Sequence, residues 1–271
     1  MSVLPSFSLR RPKTIEEALE TISFDDLPLG GGTELLLAMR MRMLLPDSLV
    51  AITRIPELQS IEIDGGDLVL GGAVTHHAAS SSSLVRDHVP ILAEVLEQVG
   101  NPRIRASGTL AGNLVFAEPK SDVIPILLAL DARVVLVSTN ASRTLTIDEF
   151  ILGPYFCARE EDELLTQIRI PTERVNHAAY VKYQTMERPT VGVAALDLQT
   201  AEGRRTRVVI GAVGPLPYRF DFLPSQDIVG KVIAAEVEAI PDAAGSERYK
   251  RHVTGVCIDR AIARLAEQGG R

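Results

Sequence analysis

Gly30-Gly31-Gly32-Thr33-Glu34-Leu35 and, farther along, Thr109-Leu110-Ala111-Gly112-Asn113 are the two stretches on which the reading of this chain turns. Each offers consecutive backbone N–H groups with little side-chain bulk, which is what a pyrophosphate needs in order to sit against the main chain. A lone glycine cluster is more often a tight turn than a ligand cradle. Two in one chain suggest a dinucleotide. The layout differs from the one-turn G-x-G-x-x-G fingerprint, which is followed about 20 residues on by an acidic residue. Here the region from Ala51 to Arg54 has none.

Outward from these stretches, the apolar spacing predicts alternating elements. A helix is expected over Thr14–Ile22, capped by Thr14 with Glu17 completing a capping box. The first glycine stretch follows Asp25–Leu29 and precedes Leu35, Leu36, Met39 and Met43 at helical spacing, so it joins a strand to a helix start, where an anion is well held. Strands are expected at 49–52, 60–63 and 68–71, the last two joined by the hairpin turn Asp64-Gly65-Gly66. His76–Leu84 and Ile91–Val99 read as helices, with the low-complexity run Ala78–Ser83 placed at the surface. Ser121-Asp122 precedes the apolar run Val123–Leu130, with Asp122 as its N-cap and Pro125 tolerated in a first turn. Further strands are expected at 133–138 and 163–170, then a polar connection over 172–177. Three strands (179–185, 191–198, 207–213) and two helices (228–239, 247–266) complete a small α+β unit.

The 271 residues are 46% hydrophobic, with a net charge of −7, and mean hydropathy is +0.14 with a pI near 5.3. These values fit an ordinary folded protein and provide no basic footprint for nucleic acid. Arg40, Arg42 and the group Arg204, Arg205 and Arg207 make only local basic patches. With Cys157 and Cys257 as its only cysteines, the chain cannot supply the four thiolates of an iron–sulfur cluster, so such a centre belongs to a partner. No metal site is expected. Met1–Pro12 carries arginines and prolines where a secretory leader has an apolar run, and Asp131 and Arg133 break the longest apolar region. No transmembrane segment and a cytoplasmic location are therefore the expectation.

In order along the chain stand Phe7–Pro12, the first glycine stretch, Pro56-Glu57-Leu58, Gly71-Gly72-Ala73-Val74-Thr75, and Ile104-Arg105-Ala106-Ser107-Gly108 running into the second stretch. Pro119-Lys120-Ser121-Asp122, Leu128–Ala132, Glu163-Leu164-Leu165, Lys182 and Ser246–Arg251 follow. This order resembles the FAD-binding medium subunit of molybdenum hydroxylases, the relatives of carbon monoxide dehydrogenase and xanthine dehydrogenase. The resemblance covers nearly the whole chain.

It implies an α+β fold: a two-lobed FAD-binding domain of the p-cresol methylhydroxylase and vanillyl-alcohol oxidase type, then a small α+β C-terminal flavoprotein domain with a three-stranded sheet. The lobes would be 1–57 and 58–174, and the C-terminal domain 175–271. FAD would lie between the lobes with its pyrophosphate on Gly30–Leu35 and Thr109–Asn113. Asp122 would contact the cofactor, Leu165 would pack on the flavin or adenine, and Lys182 would place a cation near the flavin ring. The implied partners are a molybdenum-cofactor large subunit and a 2Fe-2S small subunit, in a dimer of heterotrimers. Electrons would pass from the small subunit's clusters to FAD and on to NAD, a quinone or another acceptor, with no side chain here acting as acid or base.

Three departures from the family pattern stand out. Ala111 occupies a glycine position and is expected to add a methyl group where backbone and phosphate come close. The acidic residue expected shortly after Arg188 is replaced by Pro189-Thr190-Val191. After Pro217-Tyr218-Arg219 the usual small residue is Phe220. Two other readings stay open at this point: a stand-alone oxidase with covalent flavin on His76 or His77, and a flavin-free assembly subunit.

Overall fold

A computed structural model describes residues 4–269 of the chain. Its first sheet is built from parallel strands, which need crossover helices. β1 (Ser8–Arg10), α1 (Ile15–Leu19), β2 (Asp26–Leu29), α2 (Leu35–Arg40) and β3 (Ser48–Ala51) give the order β1-β3-β2, with both pairings parallel. Thr14 caps α1 by accepting from the Glu17 N–H at 3.2 Å. The expected capping box is shifted by one residue, since the Glu17 carboxylate accepts from Lys13 N at 2.7 Å. α2 ends in a Schellman arrangement, with Met43 N donating to Ala38 O and Arg42 N to Met39 O. Its left-handed position is filled by Arg42 at φ 61° in place of the usual glycine. Ala18, Leu19, Ile22, Val50 and Ile52 form the core of this layer.

A single turn at Pro56–Gln59 leads into β4 (Ile61–Asp64) and β5 (Asp67–Gly71). The hairpin between them forms as expected, with Gly65 and Gly66 at φ 58° and 83°, values glycine adopts without strain. Six helices follow: α3 (His76–Ser81), α4 (Ser83–His88), α5 (Pro90–Glu97), α6 (Pro102–Ser107), α7 (Leu110–Phe116) and α8 (Val123–Ala129). The run Ala78–Ser83, expected at the surface, is so only in part: Ala79 and Ser80 are buried because α3 is amphipathic, while His77, Ala78 and Ser81 face out. Then come β6 (Arg133–Val137), β7 (Ser142–Thr146), α9 (Ile147–Phe150), the small hairpin β8 (Ile151–Gly153) and β9 (Phe156–Cys157), and β10 (Leu164–Pro171). The resulting antiparallel sheet has the order β4-β5-β10-β6-β7.

The last sheet is a meander of β11 (Val175–Tyr183), β12 (Val191–Thr200), β13 (Gly203–Gly211) and β14 (Tyr218–Phe222). It has four strands where the sequence predicts three. The fourth is a short edge strand between Pro217 and Pro224, and prolines beside a short alternating run read as loop. The connection expected over 172–177 is also shorter, because Val175 already pairs with Leu198 and His177 with Asp197. One face of this sheet gives Tyr180, Ala194, Leu196, Leu198 and Val209 to the main core, against the α5 and α8 side. The other is covered by α10 (Gly230–Ala235) and α11 (Glu247–Gly269) through Val193, Val208, Ile258 and Ala261. Burial on both faces explains why β12 is apolar for most of its length.

Candidate functional site

The two glycine stretches meet. A Cβ placed on Gly31 would overlap the carbonyl oxygen of Ser107 and lie 2.7 Å from Gly108 Cα, and one on Gly30 would lie 2.9 Å from Thr109 Oγ1. Gly32 stands at φ 67°, in the left-handed region. Among the described residues, no acceptor takes the backbone N–H groups of Gly31, Gly32 or Thr33. Glu34 precedes the first turn of α2, which starts at Leu35, but makes no side-chain cap. Across the contact, Thr109 caps α7 by accepting from Gly112 N at 3.0 Å, and Leu110 N donates to Val74 O at 3.1 Å. Leu110 and Ala111 point into the main core, whereas Gly112 is exposed and Asn113 half-exposed. The expected crowding by Ala111 therefore does not arise: the residue is 4% exposed, and its methyl lies among core side chains.

Asn113 Oδ1 accepts from Ser121 Oγ at 2.6 Å, and that hydroxyl oxygen accepts from Val123 N at 3.0 Å and Ile124 N at 3.4 Å. Ser121, not Asp122, thus caps α8. Asp122 lies in helical conformation with no cap bond, because its carboxylate is turned to the last sheet. There it accepts from Tyr180 OH at 2.6 Å and pairs with Lys182 Nζ at 3.1 Å. Lys182 also donates to Gln98 O at 2.6 Å, and its side chain is 10% exposed. Burial pushes the Asp122 carboxyl up from its ordinary pKa, opposed by Lys182 and Tyr180. Burial and the neighbouring carboxylate push the Tyr180 phenol well above its usual range.

Leu165, on β10, is fully inside the main core, and α7 packs against that strand. His76 is also buried. Its N–H donates to Gly108 O at 3.0 Å, and its ring Nδ1 has no hydrogen-bond partner. Burial, with Arg105 nearby, lowers its pKa from 6.5 to about 4, so the imidazole is neutral. His77 faces solvent.

Sequence spacing could not reveal the ion cluster at the rim. Arg188, in the turn from β11 to β12, donates to Glu34 at 2.8 Å and pairs with Glu118 at 3.3 Å. Tyr155 OH donates to the same Glu118 carboxylate at 2.9 Å. Burial pulls the Arg188 pKa down, but Glu118 and Glu34 outweigh it and the net direction is up. The sequence singled out Glu34, within the first glycine stretch, and Arg188, but gave no sign that they meet. Nearby, Asp242 clasps Lys120 at 2.5 Å and Lys250 at 2.8 Å, which holds its carboxyl down at about 2 against its burial. This ties the 119–122 segment to the C-terminal helices.

Open main-chain donors at Gly31–Thr33, laid against Ser107–Thr109 of the second layer, together with a buried Asp–Lys pair, make a site suited to a nucleotide cofactor in an α+β protein. Residues 5–173 match the family described as the FAD binding domain in molybdopterin dehydrogenase, and the chain belongs to that family. It is 31% identical to the carbon monoxide dehydrogenase medium chain of Hydrogenophaga pseudoflava, over 95% of this chain and 96% of that one. It is 30% identical to the nicotine 6-hydroxylase medium subunit of Paenarthrobacter nicotinovorans, with 99% of each covered. Its fold matches a chain of quinoline 2-oxidoreductase from Pseudomonas putida 86 with a TM-score of 0.88 at 25% identity, covering 98% of both. The chain is accordingly an FAD-binding medium subunit of the molybdenum hydroxylase type, an oxidoreductase component whose cofactor is FAD. Among the described residues, no helix is long and apolar enough to cross a membrane.

Proposed function

We propose that the chain takes electrons from the iron–sulfur clusters of a small subunit, which are filled by a molybdenum-bearing large subunit, and passes them to an external acceptor such as NAD or a quinone. The contact of Gly30–Gly31 with Ser107–Thr109 carries this reading, because it brings the open backbone donors of Gly31–Thr33 against the start of α7. Gly30–Leu35 and Thr109–Asn113 would hold the pyrophosphate through main-chain N–H groups. Leu165 was expected to pack on the flavin or adenine, but at 2% exposure it lies inside the core of the second layer, so its part would be to hold that layer in place. Bound there, FAD supplies the exchange of electron pairs and single electrons. Lys182, fixed by Asp122 and Gln98 O, offers a cation whose field favours negative charge on the ring. The division into 1–57, 58–174 and 175–271, a dimer of heterotrimers and a cytoplasmic location belong to the same proposal. One main sheet within each range, with the small β8–β9 hairpin also inside the second, supports the division.

The test is an absorption spectrum of the purified protein followed by acid release of its flavin. Bands near roughly 370 and 450 nm, as oxidised flavins show, with free FAD at about one per chain, are expected. The electron route is then read by reducing the assembled complex at its molybdenum site and following bleaching of the 450 nm band. A complex whose clusters reduce while that band stays unchanged would overturn the route.

A further inference from the structure

A cleft of about 230 Å³ opens where three parts of the chain meet, and no residue of either glycine stretch lines it. The start of α5 gives it Ile91, the end of α8 gives Leu130, and β10 and β11 give Pro171, Val175 and Ala178. Its walls are pinned. Ala178 N donates to Gln268 Oε1 at 3.2 Å and Gln268 Nε2 donates to Ala178 O at 3.0 Å, which holds the end of α11 against the edge strand β11. Arg264, one helical turn earlier, donates to Tyr180 O at 3.0 Å. A concave surface that is already formed, mostly apolar and dotted with a few polar groups is the usual shape of a small-molecule site. Size narrows the occupant. A cavity of about 150 Å³ holds benzene, so this one has room for a single ring carrying a short chain.

Charge narrows it further. Among the described residues, the lining holds one carboxylate, Glu94, and no lysine or arginine. That carboxylate receives no hydrogen bond and no ion pair from the described residues, and Arg264 acts on it only through space. Burial raises its pKa, opposed by Arg264 and aided by Glu97. A second cleft of about 210 Å³ shares Glu94 and Gln268 with the first and adds Glu267 and Arg264 to the lining. Arg264 already has a donor on Tyr180 O. A partly desolvated carboxylate with no donor of its own is stabilised by an ammonium group, which brings both the opposite charge and N–H bonds. His88 and His177 also line the first cleft, and their flat rings suit an aromatic face.

We infer that this cleft binds a small arylalkylamine in its protonated form, with the ring against Ile91, Pro171 and Val175 and the ammonium group on Glu94. The site is separate from the electron-transfer reading above and does not depend on it. An occupant would bridge α5 and β11, and so join the helices of the second layer to the last sheet. The same strand carries Lys182, four residues beyond Ala178, into its pair with Asp122.

The test titrates benzylamine, and separately its uncharged analogue benzyl alcohol, into the full chain with and without added FAD, read by ligand-observed NMR. Wild type is compared with Glu94→Gln and with a Glu57→Gln control, whose side chain is exposed and outside both linings. Glu94→Gln is expected to weaken benzylamine about tenfold or more, to leave the weaker binding of benzyl alcohol unchanged, and to melt no lower than wild type without ligand. The control should bind both as wild type does. Benzylamine should also raise the melting temperature of wild type, as a ligand of the folded state does. Absence of saturable binding at low-millimolar benzylamine would overturn the inference. So would equal affinity in Glu94→Gln, or binding abolished by added FAD, which would place the amine in the cofactor cleft.

Discussion

Gly31 lies directly against Ser107, so closely that a β-carbon on the glycine would overlap the serine's carbonyl oxygen. The obstacle is backbone, not a flexible side-chain end, so neither partner can yield without moving a loop. Gly31→Ala is expected to cost about 1–3 kcal/mol, as overpacking does, and to part the two stretches. Thermal unfolding of the FAD-free protein reads the first effect. A fluorescence titration with FAD reads the second, as affinity lowered by more than the fall in stability explains.

Ala111, which the family pattern led us to expect as a glycine, turns its methyl to the core. Ala111→Gly should therefore leave FAD affinity unchanged while costing about 1 kcal/mol in helix propensity and lost packing. A variant that binds FAD markedly tighter would show that the methyl meets the cofactor after all.

Asp122 and Lys182 form a pair taken out of water, and removing one partner of such a pair costs about 3–5 kcal/mol. Lys182→Met is expected to lose stability on that scale. Burial already raises the Asp122 pKa above 3.8, and without Lys182 it rises further. The folded variant then binds a proton more readily than its unfolded chain, so its stability falls as pH rises through that window. The deficit relative to wild type should be larger at pH 8 than at pH 5, measured by urea denaturation.

His76 carries the opposite sign. Its pKa drops from 6.5 to about 4 on folding, so between those values the unfolded chain holds more protons. Stability is complete above about pH 6.5 and falls by about 3 kcal/mol as pH drops to 4. His76→Gln should flatten this part of the curve. An unchanged slope between pH 6.5 and 4 would mean another group is responsible.

Much of the architecture was legible from local pattern. The Asp64-Gly65-Gly66 turn, the Thr14 cap and the apolar run of α8 each depend on residues a few positions apart, and each forms as read. The misses arose where distant residues intervene. β14 was hidden by its prolines and is completed by pairing with β13. Ser121 rather than Asp122 caps α8 because Tyr180 and Lys182 claim the aspartate. Ala79 and Ser80 of the Ala78–Ser83 run are buried by neighbours its own composition does not reveal.

Sequence alone determined many of the elements, the family and the backbone stretches suited to a pyrophosphate, because glycine placement and hydrophobic period act through local sterics and local burial. Tertiary structure decided that the two stretches touch, that Asp122 and Lys182 pair, that Ala111 turns inward, and that Arg188 bridges Glu34 and Glu118. Those relationships join residues far apart in the chain, and their energies come from desolvation and close approach, which exist only once the layers have packed.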